Sequence, residues 1–360
     1  MTATTASPMA NSLASGRLPA WAPWVMLLGS WGVLCVVFAF VQMSQPEAGF
    51  NIAAAVFLGT ILFDVLLYVI SLLVEGRRQA TNRLVTSLVV TAFIIALLPL
   101  ISLLYTVLVD GLARFDLDFF SQSMRNIVDV GGGALHALVG TLLITGMATL
   151  ISVPIGLLTA IYLVEYGRGT LARSITFFVD VMTGIPSIVA GLFAFALFSI
   201  VTGDPGYRSG FGGSVALSLL MIPVVVRSSE EMLKIVPNEL REAAYALGVP
   251  KWLTILKIVI PTSIAGIVTG VTLAIARVIG ETAPLLIVSG FTASMNYDLF
   301  SERMMSLPVF LYTQYSIPGV DVEPFIQRAW AGALTLILIV MALNLLARLV
   351  ARIFSPKLGR

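Results

Sequence analysis

Runs of about 20 apolar residues recur along this chain, separated by polar connections, and nothing else restricts its fold as strongly. A helix of about 20 such residues crosses a hydrocarbon core of about 30 Å. Inside that core each backbone N–H and C=O must be satisfied without water, so each run reads as a helix. Eight runs qualify, at roughly residues 24–43, 52–74, 84–109, 135–164, 174–201, 211–226, 262–289 and 329–353. The sixth has only 16 residues and needs a helical continuation, which 227–235 supplies. Pro154 is expected to kink the fourth. Composition agrees: 58% of the 360 residues are hydrophobic and 11% charged, against about 45–50% and 25% in a soluble domain. The expected fold class is all-α, a polytopic membrane protein with about eight transmembrane helices.

The basic residues orient these spans. With the connections and their flanking residues assigned alternately to two sides, 15 Lys and Arg fall on one side and 5 on the other, and only Arg277 is left over. The excess marks the cytoplasm, so both termini are expected inside. Residues 1–20 read as a disordered tail. The first run is long for a signal sequence and has no convincing cleavage site, so it reads as a membrane helix. On the outer side, 110–134 carries four aspartates, and 290–328 holds "MMSLPVFLYTQYSIPG". That run is too short to cross and reads as interfacial or re-entrant.

Several functions are excluded. One cysteine, Cys35, rules out an intramolecular disulfide and a multi-cysteine metal site, and one histidine, His136, rules out a histidine cluster. No metal site is expected, and His136 reads as an interface residue. The Gly-rich stretches "VGGGALHAL" and "TGDPGYRSG" lack the lysine of a phosphate-binding loop, and no G-x-x-x-x-G-K-S/T occurs. The chain is therefore expected to be non-catalytic and to bind no cofactor directly. Any ATP would be used by a partner. No nucleic-acid partner is expected.

Charge within the spans is rare enough to be informative. Arg277 lies 15 residues past Thr262, or about 22 Å along a helix. A lone charge at that depth costs about 2.5–3.5 kcal/mol on insertion scales. Glu281 follows four positions on, which on a continuous helix places both side chains on one face. Gly280 and Pro284 loosen the helix there. Two readings stand: a transient contact for an oxyanion, whose shape the guanidinium fork matches, or an ion pair locking this helix to a neighbour. Asp180 lies beside the small-residue run "TGIPSIVAG", which includes Pro186, and is expected to cap or hydrogen-bond there. Asp64, in the second run, is expected to pair with a neighbouring helix or to be neutral.

The longest inner connection, 227–261, reads "RSSEEMLKIVPNELREAAYALGVPKWLTILKIVIP". Pro237 ends one helix and Asn238 is expected to N-cap the next. Glu239 suits its first turn. Gly248 accepts positive φ, and Pro250 confirms the break. This predicts helix, tight turn, helix on the cytoplasmic face. The same stretch resembles the cytoplasmic loop of permease subunits of bacterial ABC importers: E-A-A, three residues, G, nine residues, I-x-L-P. Here the matching residues are Glu242, Ala243, Ala244, Gly248, Ile258 and Pro261, with Ile260 where Leu is usual. The wording "RVIGETAPLL" (277–286), "DVMTGIPSIVAGLF" (180–193), "YLVEYG" (162–167) and "IPVVVRSSEEML" (222–233) resembles the PstA-type permeases of high-affinity phosphate importers.

The resemblance covers about 84–355 and implies a type I ABC importer permease (MetI-like) fold. It implies a six-helix permease domain at 84–360 and two additional helices after the tail in 1–83. It implies a coupling helix docking on the ATP-binding subunit through Glu242, Ala243 and Gly248. The partners it implies are a homologous PstC-type permease, two ATP-binding cassettes, an extracytoplasmic phosphate-binding protein, inorganic phosphate and membrane lipid, in a bacterial inner membrane. On that reading Arg277 and Glu281 lie on the substrate pathway, and Asp180, Pro186 and Pro284 are structural or gating. The alternatives are an ABC permease for another oxyanion, such as sulfate or molybdate, or a secondary anion transporter.

Overall fold

The computed structural model describes residues 16–44 and 51–354; most of the expected N-terminal tail lies outside them. Among the described residues the chain is helical, with no strand. It divides into two compact units, Met1–Leu103 and Leu104–Arg360.

The first unit contains α1 (Ala22–Ser44), α2 (Ile52–Val74) and most of α3 (Arg77–Leu112). The Trp31 indole N–H donates to Thr60 Oγ1 at 3.1 Å, joining α1 to α2. Asp64 accepts a hydrogen bond from the Ser87 hydroxyl of α3, which supplies the neighbour its sequence context required. At the α2–α3 corner Glu75 is buried. Its carboxylate accepts from Arg83 Nε at 2.5 Å and Nη2 at 2.8 Å, from the Ser71 hydroxyl at 2.7 Å and from the Leu18 amide at 2.8 Å.

In the second unit the end of α3 is followed by α4 (Leu117–Ser121), whose N-cap Asp116 accepts from the Phe119 amide at 2.8 Å. Then come α5 (Leu135–Ile161), α6 (Gly169–Thr183), α7 (Ser187–Thr202) and α8 (Gly210–Ile235). The last is the short sixth run completed by its expected continuation. The element expected on the cytoplasmic face is α9 (Asn238–Ala246) and α10 (Lys251–Thr254). After it stand α11 (Ile260–Val278), α12 (Ala283–Val288), α13 (Leu307–Ser316) and α14 (Val322–Phe354).

The core lies between α5 and α8. Ser214 donates to the Ile144 carbonyl at 3.0 Å and Ser218 to the Ala148 carbonyl at 3.4 Å, one turn further along both helices. Both pairs are 70 residues apart, so α5 and α8 run parallel. Between two parallel crossings the chain must return once. The fifth run, expected as one helix over 174–201, makes that return as two: α6 and α7 meet at a bend of 108°. Pro186 is the cause, since it removes a backbone donor and disfavours helix at Ile185. Among the described residues seven helices are long and apolar enough to cross, or eight if the bent pair is one span.

The seventh run, expected over 262–289, is broken too. α11 stops at Val278, and α12 starts with Pro284 in its first turn, where its missing N–H costs nothing. The apolar run within 290–328 forms α13, which packs one face inside the protein, with Leu307, Val309 and Phe310 fully buried, and leaves Tyr312 and Tyr315 exposed on the other. Its N-terminal amide, on Leu307, donates to Thr141 Oγ1 at 2.7 Å. Arg328 of α14 is also fully buried, donating to Gln314 Oε1 and to the carbonyls of Asp129 and Gly131 at 2.8–2.9 Å.

The Glu75 corner yields a pH prediction. The Arg83 hydrogen bonds hold the Glu75 carboxyl down at about 2, against the opposing effect of burial. A depressed carboxyl stabilises the fold fully above its ordinary value, 4.5, and that gain is lost as pH falls toward about 2. Amide-exchange protection at the α2–α3 corner should therefore decline progressively across this window. Arg83→Gln should remove most of that pH dependence; an unaltered profile would show that the guanidinium does not hold the corner.

Candidate permeation site and coupling element

Arg277 and Glu281 lie where two interrupted spans meet. Both line a cavity of about 180 Å³ with Met182, Thr183 and Ile185 from the first break, Ser187 from α7, and Leu220 and Val224 from α8. Irregular backbone at membrane depth is tolerated where protein or a water-filled cavity satisfies it. Here both breaks open onto the same cavity. Pro186 and Pro284 set them, one as N-cap of α7 and the other buried in α12. The two segments are packed against each other. A Cβ on Gly191 of α7 would stand 2.6 Å from Pro284 Cα, so only glycine allows this approach.

The expected pairing of Arg277 with Glu281 is not present. Neither side chain has a hydrogen-bond or ion-pair partner among the described residues. The i, i+4 rule needs a continuous helix, and α11 ends at Val278, where the Glu281 amide closes a turn onto the Val278 carbonyl at 3.1 Å. Arg277 is exposed and Glu281 half-buried. Asp180 also differs from expectation. It pairs with Arg227 of α8 instead of serving the small-residue run. Arg227 donates to Glu230 at 2.9 Å, and Lys234 to the same carboxylate at 2.7 Å, giving a ladder that ties α6 to α8.

On the other side of the seventh span, α9 and α10 form the helix–turn–helix. Gly248 has φ +76°; its amide donates to the Tyr245 carbonyl at 2.9 Å, and that of Val249 to Ala244 at 3.1 Å. This is the Schellman termination, which requires a left-handed residue at the glycine position. Asn238 is not the N-cap. Pro237 holds that place, and Asn238 Oδ1 accepts instead from Arg241 at 3.2 Å. Glu242 and Ala243 are exposed on α9, while Ala244 is buried. Ile258 lies in a π-turn, Ile255–Val259, that joins α10 to α11. The wider turn lets the Ile260 amide reach the Ile255 carbonyl and admits Pro261 without a break. Lys251–Val278 is thus a single rod of 28 residues, about 42 Å long. It begins at the helix–turn–helix and carries Arg277 one residue from its end.

Two features escaped sequence reasoning. Glu165 and Arg241, 76 residues apart, form a buried ion pair; the only signal was a lone acid in "YLVEYG". An outer cleft of about 430 Å³ is lined by Asp204, Tyr207, Arg208, Glu302 and Arg303, which the sequence offered only as loop charges.

A bundle of crossing helices, with two interrupted spans and a helix–turn–helix between the sixth and the seventh, defines a multi-pass membrane protein. Residues 152–360 match the family described as "Binding-protein-dependent transport system inner membrane component". The chain is 48% identical over 277 residues to the phosphate transport system permease protein PstA 1 of Mycobacterium tuberculosis (strain ATCC 25618 / H37Rv), covering 76% of this chain and 88% of that protein. It is 39% identical over 277 residues to PstA of Yersinia pestis, covering 77% and 92%. Among solved structures it is similar to an inward-facing MetNI methionine ABC transporter, with TM-score 0.48, 18% identity, and 62% and 95% of the two chains covered. The chain belongs to the binding-protein-dependent inner-membrane permeases and, within them, to the PstA type.

The termination at Gly248 can be tested directly. Gly248→Val should cost about 1–2 kcal/mol, the penalty for an L side chain in left-handed backbone. Gly248→Asn should cost clearly less, because asparagine tolerates that region. Amide-exchange protection across α9 and α10 measures both. Equal costs would rule out backbone strain as the reason for glycine.

Proposed function

We propose that this chain is a membrane-spanning permease subunit of an ATP-driven importer of inorganic phosphate. The reading rests on one observation. The rod Lys251–Val278 joins a cytoplasmic coupling turn at one end to an unpartnered guanidinium in a cavity at the other. The names of the PstA relatives supply phosphate as the solute. The cavity is smaller than the roughly 300–1,000 Å³ of drug-sized ligand sites, which suits a small oxyanion. Arg277 makes the contact and Glu281 limits it, since a carboxylate facing the same cavity repels the anion and speeds its release.

The 15-to-5 distribution of basic residues places α9 and both termini in the cytoplasm. There the exposed Glu242 and Ala243 meet an ATP-binding cassette, one of two in the complex. A homologous PstC-type permease completes the pathway, and an extracytoplasmic phosphate-binding protein delivers the anion. ATP stays with the cassettes. Their closure tilts the rod and so moves Arg277.

Two variants test this in the complex reconstituted into vesicles. Arg277→Gln should leave the complex intact and lower phosphate uptake by about tenfold or more, as expected for loss of a charged hydrogen-bonding partner. Wild-type uptake by that variant would remove Arg277 from the pathway, and a complex that falls apart would make it structural. Uptake of sulfate or molybdate in place of phosphate would reassign the solute, and uptake without cassettes would indicate a secondary transporter. Glu242→Lys should preserve the fold and abolish ATP-driven uptake. Normal uptake would locate cassette docking elsewhere.

A further inference from the structure

We infer that Glu165 is a positioning residue that makes α5 move with the coupling turn; the inference rests on the reading that this turn docks on a cassette. The end of α5 continues into a π-turn, Tyr162–Tyr166, closed by the Gly167 amide on the Tyr162 carbonyl at 2.5 Å. Glu165 sits in that turn with its side chain 5% exposed. Its Oε1 accepts from Arg241 Nε at 3.0 Å and Nη2 at 2.9 Å. Arg241 belongs to α9 and is 12% exposed. Its remaining donors reach the Val236 carbonyl at 2.6 Å, the Leu233 carbonyl at 3.0 Å and Asn238 Oδ1 at 3.2 Å. One guanidinium therefore joins the ends of α8, α9 and α5.

The other arm of the turn holds the same residue. Lys251, the first residue of α10, donates to the backbone carbonyl of Glu165, and its Nζ lies 4.8 Å from the centre of the Tyr166 ring. Arms on both sides of Gly248 thus grip Glu165, one by its carboxylate and one by its carbonyl. Beneath this grip lies a buried apolar cluster of Ala160, Leu233, Val236, Val259 and Ile267.

The inner helices that the turn must move are attached differently. α11 follows by covalent continuity through the rod, and α8 through the two-residue link of Val236 and Pro237 to α9. α5 has no such connection to the turn. The Glu165 grip is the polar link between α5 and the turn. A buried ion pair is seldom more stable than well-packed apolar side chains, and its best-attested use is to fix register. Losing it lets α8 and α11 respond to ATP while α5 lags, so the inner helices do not move in step with hydrolysis.

The test uses the full complex with a Cys35→Ser background. Glu165→Gln should keep assembly and basal ATP hydrolysis while phosphate uptake per ATP falls by about tenfold. The double variant Glu165→Leu with Arg241→Met removes both buried charges, so it should restore the melting temperature but not the uptake per ATP. Normal uptake per ATP in either variant would overturn the proposal. Spin labels at Leu158→Cys on α5 and Leu247→Cys beside α9 need no phosphate. Their separation should stay constant on ATP binding in the wild type and change in the double variant; an unchanged separation in that variant would also overturn it. If the wild type imports no phosphate yet the labels behave as stated, the assignment of solute fails and the grip stands.

Discussion

A backbone group in hydrocarbon has no water to turn to, and this requirement organises the second unit. A helix may stop at membrane depth only where something else takes over its hydrogen bonds. The chain stops twice, at 184–186 and at 279–282, and both stops face one cavity. Each depends on the other. Pro284 sits against Gly191, so the segment after the second break is held by the segment after the first. A side chain at Gly191 would part them and leave both ends unsupported.

The same requirement explains why α5 and α8 do not slide. Lipid gives apolar helices no hydrophobic reason to associate, so close packing and interhelical hydrogen bonds must do it. The Ser214 and Ser218 hydroxyls meet that need at a fixed offset along α8. Each also donates within reach of its own helix, to Gly210 and Ser214, so neither is left unsatisfied if the pair separates. Such a contact fixes register at little cost.

What the sequence reveals is what depends on neighbours along the chain. Spans are visible because apolarity is summed over about 20 residues, and the turn at Gly248 because glycine and Pro250 act locally. The bend at Pro186 is only half visible. Proline announces an irregularity, but whether a span kinks or folds back by 108° depends on what packs in the angle. The mistaken Arg277–Glu281 pair has the same origin. Spacing of four implies a shared face only while the helix continues, and α11 ends at Val278, before Glu281 is reached. The Glu165–Arg241 pair is hidden for the plainest reason: nothing in either local sequence names the other.

The charges at the two ends of the rod are used in opposite ways. Near the coupling turn they are saturated. Arg241 spends its donors on Glu165, two carbonyls and Asn238, and Glu230 takes both Arg227 and Lys234. Saturated charges define a geometry and resist leaving it. At the cavity Arg277 and Glu281 have no such partners, although a lone charge at that depth costs kilocalories. Pairing them would have required only one more turn of helix. The chain instead places Gly280 there and keeps them apart. A cost that one turn would remove persists where separation has a use, and on the proposed reading that use is a brief contact with a passing anion. A saturated arginine could not make it, and an arginine without an acid nearby would hold the anion too long.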